Sequence, residues 1–133
     1  MKSEELMIGD WVKFDEDICL VDEVRLDGTV VLTSMNTDLT SVDGSQVEDE
    51  EIEPIPLTRE ILEKNGFEFE QHGSLEVAIF AILKIENRHS ITLEYIGWSD
   101  GRWAIHEHRL VIKHVHELQH VLRLCGINKK IEI

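Results

Sequence analysis

The sequence predicts an α+β protein, with a small, curled, SH3-like β part at the N-terminus followed by an antiparallel sheet backed by two helices. Three observations predict it. Up to about residue 56, short apolar runs alternate with polar residues between turn signals, as in half-buried strands. Two later segments, near 58–65 and 110–125, carry helical spacing instead and end on glycine. Charge also divides the chain. Residues 1–56 hold three basic residues (Lys2, Lys13, Arg25) and sixteen acidic ones, a net of −13, whereas residues 57–133 hold ten basic and eleven acidic. The break falls at Glu53-Pro54-Ile55-Pro56, where each proline keeps its predecessor extended. It separates a part spanning 1–56 from a part spanning 57–133.

In the first part, Ile8-Gly9-Asp10 reads as a turn leading into the strand Trp11-Val12-Lys13-Phe14. Ile18 to Val24 is a second strand. Asp27-Gly28 is a hairpin signal before Thr29-Val30-Val31-Leu32. A polar loop, roughly Thr33 to Ser41, leads to Val42, Val47 and the extended Ile52-Glu53-Pro54-Ile55. The acidic residues occupy turns and outward parities, as on a solvated surface. Asp15-Glu16-Asp17 lacks the spacing of a calcium-binding EF-hand loop.

In the second part, Leu57 to Phe67 reads as a short helix. Thr58 caps it, Leu57 and Leu62 form a hydrophobic staple, and Gly66 ends it with Phe67 packing back. Leu75 to Ile85 predicts a central strand covered on both faces, because Leu75, Val77, Ile79, Ala81, Leu83 and Ile85 share one parity and the other parity is partly apolar. Asn87-Arg88-His89 turns into a strand over Ile91 to Ile96. A Ser99-Asp100-Gly101 turn, flanked by Trp98 and Trp103, pairs Trp103–His108 with that strand. A helix over about 110–125 places Val111, Val115, Leu118, Val121, Leu122 and Cys125 within about 60° of one direction. It ends at Gly126, and Lys129 to Ile133 predicts a short final strand. His72, near Gly73, reads as loop.

One pattern suggests chemistry. His116-Glu117-Leu118-Gln119-His120 matches H-E-x-x-H, in which two imidazoles one helical turn apart hold zinc and the glutamate activates a metal-bound water. His116 and His120 are therefore the metal candidates, with His106 or His108 conceivable as a third ligand. Helical geometry argues against it. With Leu118 at the centre of the apolar stripe, both histidines fall about 160° away, on an outer face shared with Lys113 and Arg123. The extended metzincin pattern would need glycine and histidine where Arg123 and Gly126 stand. These residues read as solvent-facing, and no catalytic, cofactor or metal site is predicted. His114, nearer the stripe, reads as a core-edge histidine bonded to a strand backbone, with a pH-sensitive contact as the alternative. Cys125, on the stripe, reads as buried. No phosphate loop, nucleophile elbow or C-x-x-C pair appears.

Composition bounds the partners. A net charge of −14 disfavours direct nucleic-acid or anionic-lipid binding, because phosphate contacts need Lys and Arg. No apolar run approaches the roughly 18 residues of a membrane span. The two cysteines, Cys19 and Cys125, fit a reducing compartment, and Met1-Lys2-Ser3-Glu4-Glu5 lacks signal-peptide character, so a cytoplasmic location is expected.

Three stretches carry a resemblance: Ile8-Gly9-Asp10-Trp11-Val12; Glu53-Pro54-Ile55-Pro56-Leu57-Thr58 continuing from Glu60 through Phe67; and His116, Leu118-Gln119-His120 with Leu122 through Ile127. Together they resemble a group of small uncharacterised proteins of gut Bacteroidetes and their phages or mobile elements. The resemblance implies no activity, and no functional residue is carried over from it. The function expected is a non-catalytic protein-interaction module, encoded on a phage or mobile element, whose acidic N-terminal part binds a basic protein. The alternatives are a small zinc-dependent peptidase using His116-Glu117-x-x-His120, and an acidic DNA mimic using carboxylates of residues 10–23 and 43–53.

Overall fold

In the computed structural model, alternation over residues 11–54 produces a five-stranded antiparallel sheet in the order β4-β3-β2-β1-β5. Its strands are β1 (Trp11–Phe14), β2 (Asp17–Val24), β3 (Thr29–Ser34), β4 (Ser45–Glu48) and β5 (Ile52–Pro54). Gly9 at φ +91° and Gly28 at φ +89° take turn conformations that L side chains rarely adopt, so the turn signals fall where the sequence predicts them. The structure describes residues 1–34, 45–73, 78–85, 89–96, 101–105 and 110–133. The predicted positions Val42, Trp98, His106 and His108 lie outside them.

One face of this sheet makes a core of its own. Val12, Cys19, Val21, Val30, Leu32, Val47 and Ile52, from all five strands, cluster with Leu6. The inward parity of β2 is therefore Cys19 and Val21, while Ile18 is partly exposed. A register shift between Val21 and Glu23 then changes the parity, so that Val24 packs against the same cluster. Proline is tolerated at Pro54 because β5 is an edge strand, bonded only to β1.

The second sheet, also antiparallel and five-stranded, has the order β10-β9-β8-β7-β6. It comprises β6 (Glu68–His72), β7 (Ala78–Ile85), β8 (His89–Tyr95), β9 (Trp103–Ile105) and β10 (Leu110–Ile112). Three sequence expectations change here. His72 is not in a loop: it ends β6, opposite Ala78. The strand expected at the centre, β7, lies second from the edge, while β8 is central. On β7 the predicted parity holds, with Ala81 and Leu83 buried, but Ala78, Phe80 and Ile82 on the other face are only half-buried. Finally, residues 110–112 form a strand paired with Trp103–Ile105 rather than the start of the last helix. Val111 is exposed there, since its spacing to Val115 matches a helical stripe by coincidence.

Helix α1 (Arg59–Lys64) has both predicted ends. The Thr58 hydroxyl accepts the Ile61 N–H at 3.3 Å, Leu57 and Leu62 are buried, and Gly66 sits at φ +88°. The Phe67 N–H then returns to the Leu62 carbonyl at 3.0 Å and buries the Phe67 ring. Helix α2 (Val115–Leu124) is shorter than predicted. Glu117 closes its first turn by accepting the His114 N–H at 3.1 Å, the glutamate half of a capping box. At the other end Gly126 takes φ +72°, and the Ile127 N–H bonds the Leu122 carbonyl at 2.8 Å. Cys125, expected in the core, stands beyond the last helical residue and is exposed.

The chain divides into two compact units that do not follow the 1–56/57–133 boundary. The first contains Met1–Ile55 and His114–Lys129, and the second Pro56–Lys113 and Lys130–Ile133. Helix α2 thus groups with the N-terminal sheet and packs against β1. The crossing near residues 55–57 coincides with the predicted proline break. Residues 114–129 return to the first unit because the groups that satisfy the polar face of α2 lie in residues 8–11.

Residues 129–133 form no strand. In the second unit the Asn65 side chain instead holds the tail as a strand neighbour would. Its amide donates to the Ile61 and Glu132 carbonyls, and its oxygen accepts the Glu132 N–H, all at 2.7 Å. Asn65 is buried, and Ile131 beside this anchor is buried too. Replacing Asn65 with alanine removes both side-chain bonds to the Glu132 backbone and the side-chain bond to the Ile61 carbonyl, which keeps only the Asn65 N–H. The expected loss is about 2–3 kcal/mol in urea unfolding, with the Glu132 amide becoming fast in hydrogen exchange.

Candidate functional site

Helix α2 carries the sequence-predicted candidates, and its polar face is fastened to residues 8–11. Gln119 accepts the Trp11 N–H and donates to the Gly9 carbonyl, both at 2.9 Å. Arg123 donates to the Ile8 carbonyl at 2.7 Å. His120 Nε2 meets Asp10 Oδ2 at 2.7 Å. Asp10 is fully buried, and the same carboxylate oxygen accepts the Met7 N–H at 2.8 Å. Among the described residues, Asp10 is a buried exception to the outward placement of the acidic residues. The opposite face of the helix buries Val115, Leu118, Val121 and Leu122, as the stripe predicts.

This arrangement corrects the outer-face reading of the two histidines. His116 is only 6% exposed, and the His120 side chain is bonded to a buried carboxylate. A helical wheel places both residues opposite the stripe, but it cannot show that a distant segment covers that side. His114 also differs from its expected place. It stands at the N-cap of α2, half-exposed, with Nδ1 2.8 Å from Glu117 Oε1.

The three imidazoles form a row. His114 and His116 stack with centroids 5.7 Å apart, and His116 meets His120 edge-on at 5.6 Å. Burial holds the His116 imidazole below its ordinary pKa of 6.5. Asp10 and Glu117 pull the other way, while His120 and His114 add to the depression. Two atoms of the cluster, Asp10 Oδ1 and His116 Nδ1, are buried with no hydrogen-bond partner among the described residues. The glutamate that would activate water in a zinc peptidase is occupied by the helix cap. Among the described residues, no three His, Cys, Asp or Glu side chains come together to hold a metal. The geometry supports a structural role for His116 and His120.

A second site, in the other unit, was not visible in the sequence. A pocket of about 430 Å³ opens among the start of α1, the strands β7, β8 and β9, and the end of β10. Pro56, Leu57, Ile79, Tyr95 and Trp103 give it apolar walls, and Thr58, Arg59 and Lys113 are its polar side chains. Trp103 is 3% exposed and packs against Tyr95 (centroids 5.0 Å apart) and Phe69 (6.2 Å). The Arg59 guanidinium lies 4.5 Å above the Phe69 ring while its Nε bonds Glu63 Oε1 at 3.1 Å, so the cation is held from two sides. Trp103 is a buried cross-strand neighbour of Tyr95, in the strand pairing the sequence predicts. It also forms a pocket wall, which no local spacing signalled.

Comparison of the chain with protein-family models, curated proteins and solved structures returned no match.

Two measurements check this account of the first unit. Removing the Asp10 carboxylate by Asp10→Ala leaves the Met7 N–H and His120 without their acceptor. The expected loss is about 2–4 kcal/mol in chemical denaturation. The second concerns pH. The folded unit resists protonating His116, whereas the unfolded chain binds that proton at about 6.5. The His116 contribution to stability is therefore complete above 6.5 and declines as pH falls below it. Unfolding followed from neutral to mildly acidic pH should show this slope in the wild type and a smaller one in His116→Leu.

Proposed function

We propose that this chain is a non-catalytic protein-interaction module that docks a basic partner on the acidic surface of its first unit. Its SH3-like character is part of the proposal. Four meandering strands and a 3-10 turn lead a short fifth strand back beside the first, the connectivity of a curled SH3-like sheet, although the sheet remains open. Such sheets host many functions, so the case rests on the surface.

The carrying observation is the convergence of acidic segments that are far apart in sequence. The amino terminus of Met1 bonds the Asp49 and Ile52 carbonyls at 3.2 and 3.0 Å, and the Ser3 N–H bonds Asp49 Oδ2 at 3.0 Å. These bonds join the 3-10 turn Ser3–Glu5 to the 3-10 turn Asp49–Glu51. Gly28, in the β2–β3 turn beside Asp27, also lies close to the Asp49 carboxylate. Glu4, Glu5, Asp27, Glu48, Glu50 and Glu51 are all exposed in these segments. Exposed carboxylates at this density favour a Lys- or Arg-rich segment and speed its encounter.

A cytoplasmic location and an origin on a phage or mobile element of Bacteroidetes belong to the same proposal. No helix among the described residues is long and apolar enough to cross a membrane. The DNA-mimic alternative gains less support, because Asp10, one of the carboxylates it would use, is buried.

Titration with a Lys/Arg-rich peptide, followed by amide chemical shifts, tests the proposal. Shifts should concentrate at residues 3–5, 27–28 and 48–51 and weaken steeply with salt. The double variant Glu50→Lys/Glu51→Lys should reduce affinity by at least about tenfold. Shifts spread evenly over the protein, or indifference to the double variant, would overturn it.

A further inference from the structure

Trp103 combines deep burial with an unmet hydrogen bond. It is 3% exposed, and its indole Nε1–H is buried with no acceptor among the described residues. Tyr95 and Phe69 contact its ring only as aromatic neighbours. Buried tryptophan N–H groups usually find an acceptor, because leaving such a donor unpaired costs about 1–3 kcal/mol. The same residue forms a wall of the second unit's pocket, whose volume, about 430 Å³, falls within the range of small-molecule sites. Pro56, Leu57, Ile79 and Tyr95 make the adjoining walls apolar. Of the cations in the lining, Arg59 is held by Glu63 and Lys113 is engaged as well, so neither defines the ligand. The indole N–H is the donor left for one.

We propose that this pocket binds a small neutral aromatic carbonyl compound, a ketone or an amide, whose oxygen accepts the Trp103 indole N–H while its ring packs against Leu57, Ile79 and Tyr95. The donor is uncharged, so a carbonyl oxygen satisfies it. A carboxylate taken between the same apolar walls bears the desolvation cost of its charge. A hydrocarbon of the same shape gains the apolar contact but leaves the N–H unpaired. Nε1 is closed to solvent in the free protein, so the oxygen reaches it as wall side chains change rotamer, a common extent of movement on binding. The inference is independent of the acidic surface of the first unit, because none of the residues involved belongs to that unit.

The experiment uses the full chain and two neutral probes that share a bicycle and differ in one oxygen: 1-indanone and indane. Amide and indole resonances are followed in nitrogen–proton correlation spectra. Indanone should shift the amides of Leu57, Ile79 and Tyr95 in a saturable way and move the Trp103 indole proton downfield, as hydrogen bonding does. Indane should shift the same amides without that downfield move. Trp103→Phe keeps an aromatic wall and lacks the donor. In it the ratio of indanone to indane affinity should fall about fivefold, and the ratio cancels any loss of packing common to both probes. If that variant does not fold, the wild-type spectra decide alone. The proposal is overturned if indanone gives no saturable shift, if its shifts map to residues 1–55, or if the indole proton moves alike with both probes. An affinity ratio unchanged in folded Trp103→Phe also overturns it.

Discussion

The first unit depends on one buried carboxylate. Asp10 stands just before β1, and its backbone carbonyl accepts the Val21 N–H at 2.9 Å, which ties the entry of the sheet to β2. Its side chain takes the Met7 N–H and His120 from opposite directions along the sequence. A fully buried carboxylate is costly unless it is partnered, and Asp10 meets both of its partners through Oδ2, so it requires both the turn over residues 7–10 and the placement of α2. Gln119 and Arg123 complete the attachment. An amphipathic helix can slide over an apolar surface at modest cost, but directional bonds to the Gly9 and Ile8 carbonyls and the Trp11 N–H fix its register. The histidine motif that first suggests catalysis is part of this attachment.

How much of this was legible follows from how local each signal is. The strands of the first sheet, both ends of α1, the glycine stop after α2 and the Leu57–Leu62 staple are readable in the sequence, because turn glycines, caps and alternation act within a few residues. The placement of α2 was not. Its apolar stripe announces a buried face without naming the partner, and the residues that decide the partner lie about 110 positions away. The start of the same helix was misread because Leu110-Val111-Ile112 suits either a strand or a helical stripe. The cap at His114 and Glu117 decides, and its histidine is an uncommon N-cap. Asn65 was overlooked for a related reason. An asparagine after a helix looks like an ordinary end signal, and nothing local shows that its amide will serve two backbone groups of residue 132.

Neither candidate surface can be found by motif. The acidic convergence gathers residues from the start of the chain, a hairpin turn and the link between β4 and β5. The pocket gathers residues from a helix start, three strands and the end of a fourth. Composition gave the sign of the first, since the excess acid lies within residues 1–56. It concealed the second, because an indole N–H without an acceptor does not stand out until the fold places it in a wall.

The path of the chain through the two units has a consequence for synthesis. Each unit takes its last piece from the C-terminal twenty residues: α2 and its following turn for the first, residues 130–133 for the second. As the chain leaves the ribosome, the N-terminal sheet can collapse on its own apolar cluster early. Asp10, however, waits without its histidine partner until more than a hundred further residues have been made. Through that interval the nascent sheet carries a carboxylate still open to water, and so it cannot lock into its final form before α2 has been made.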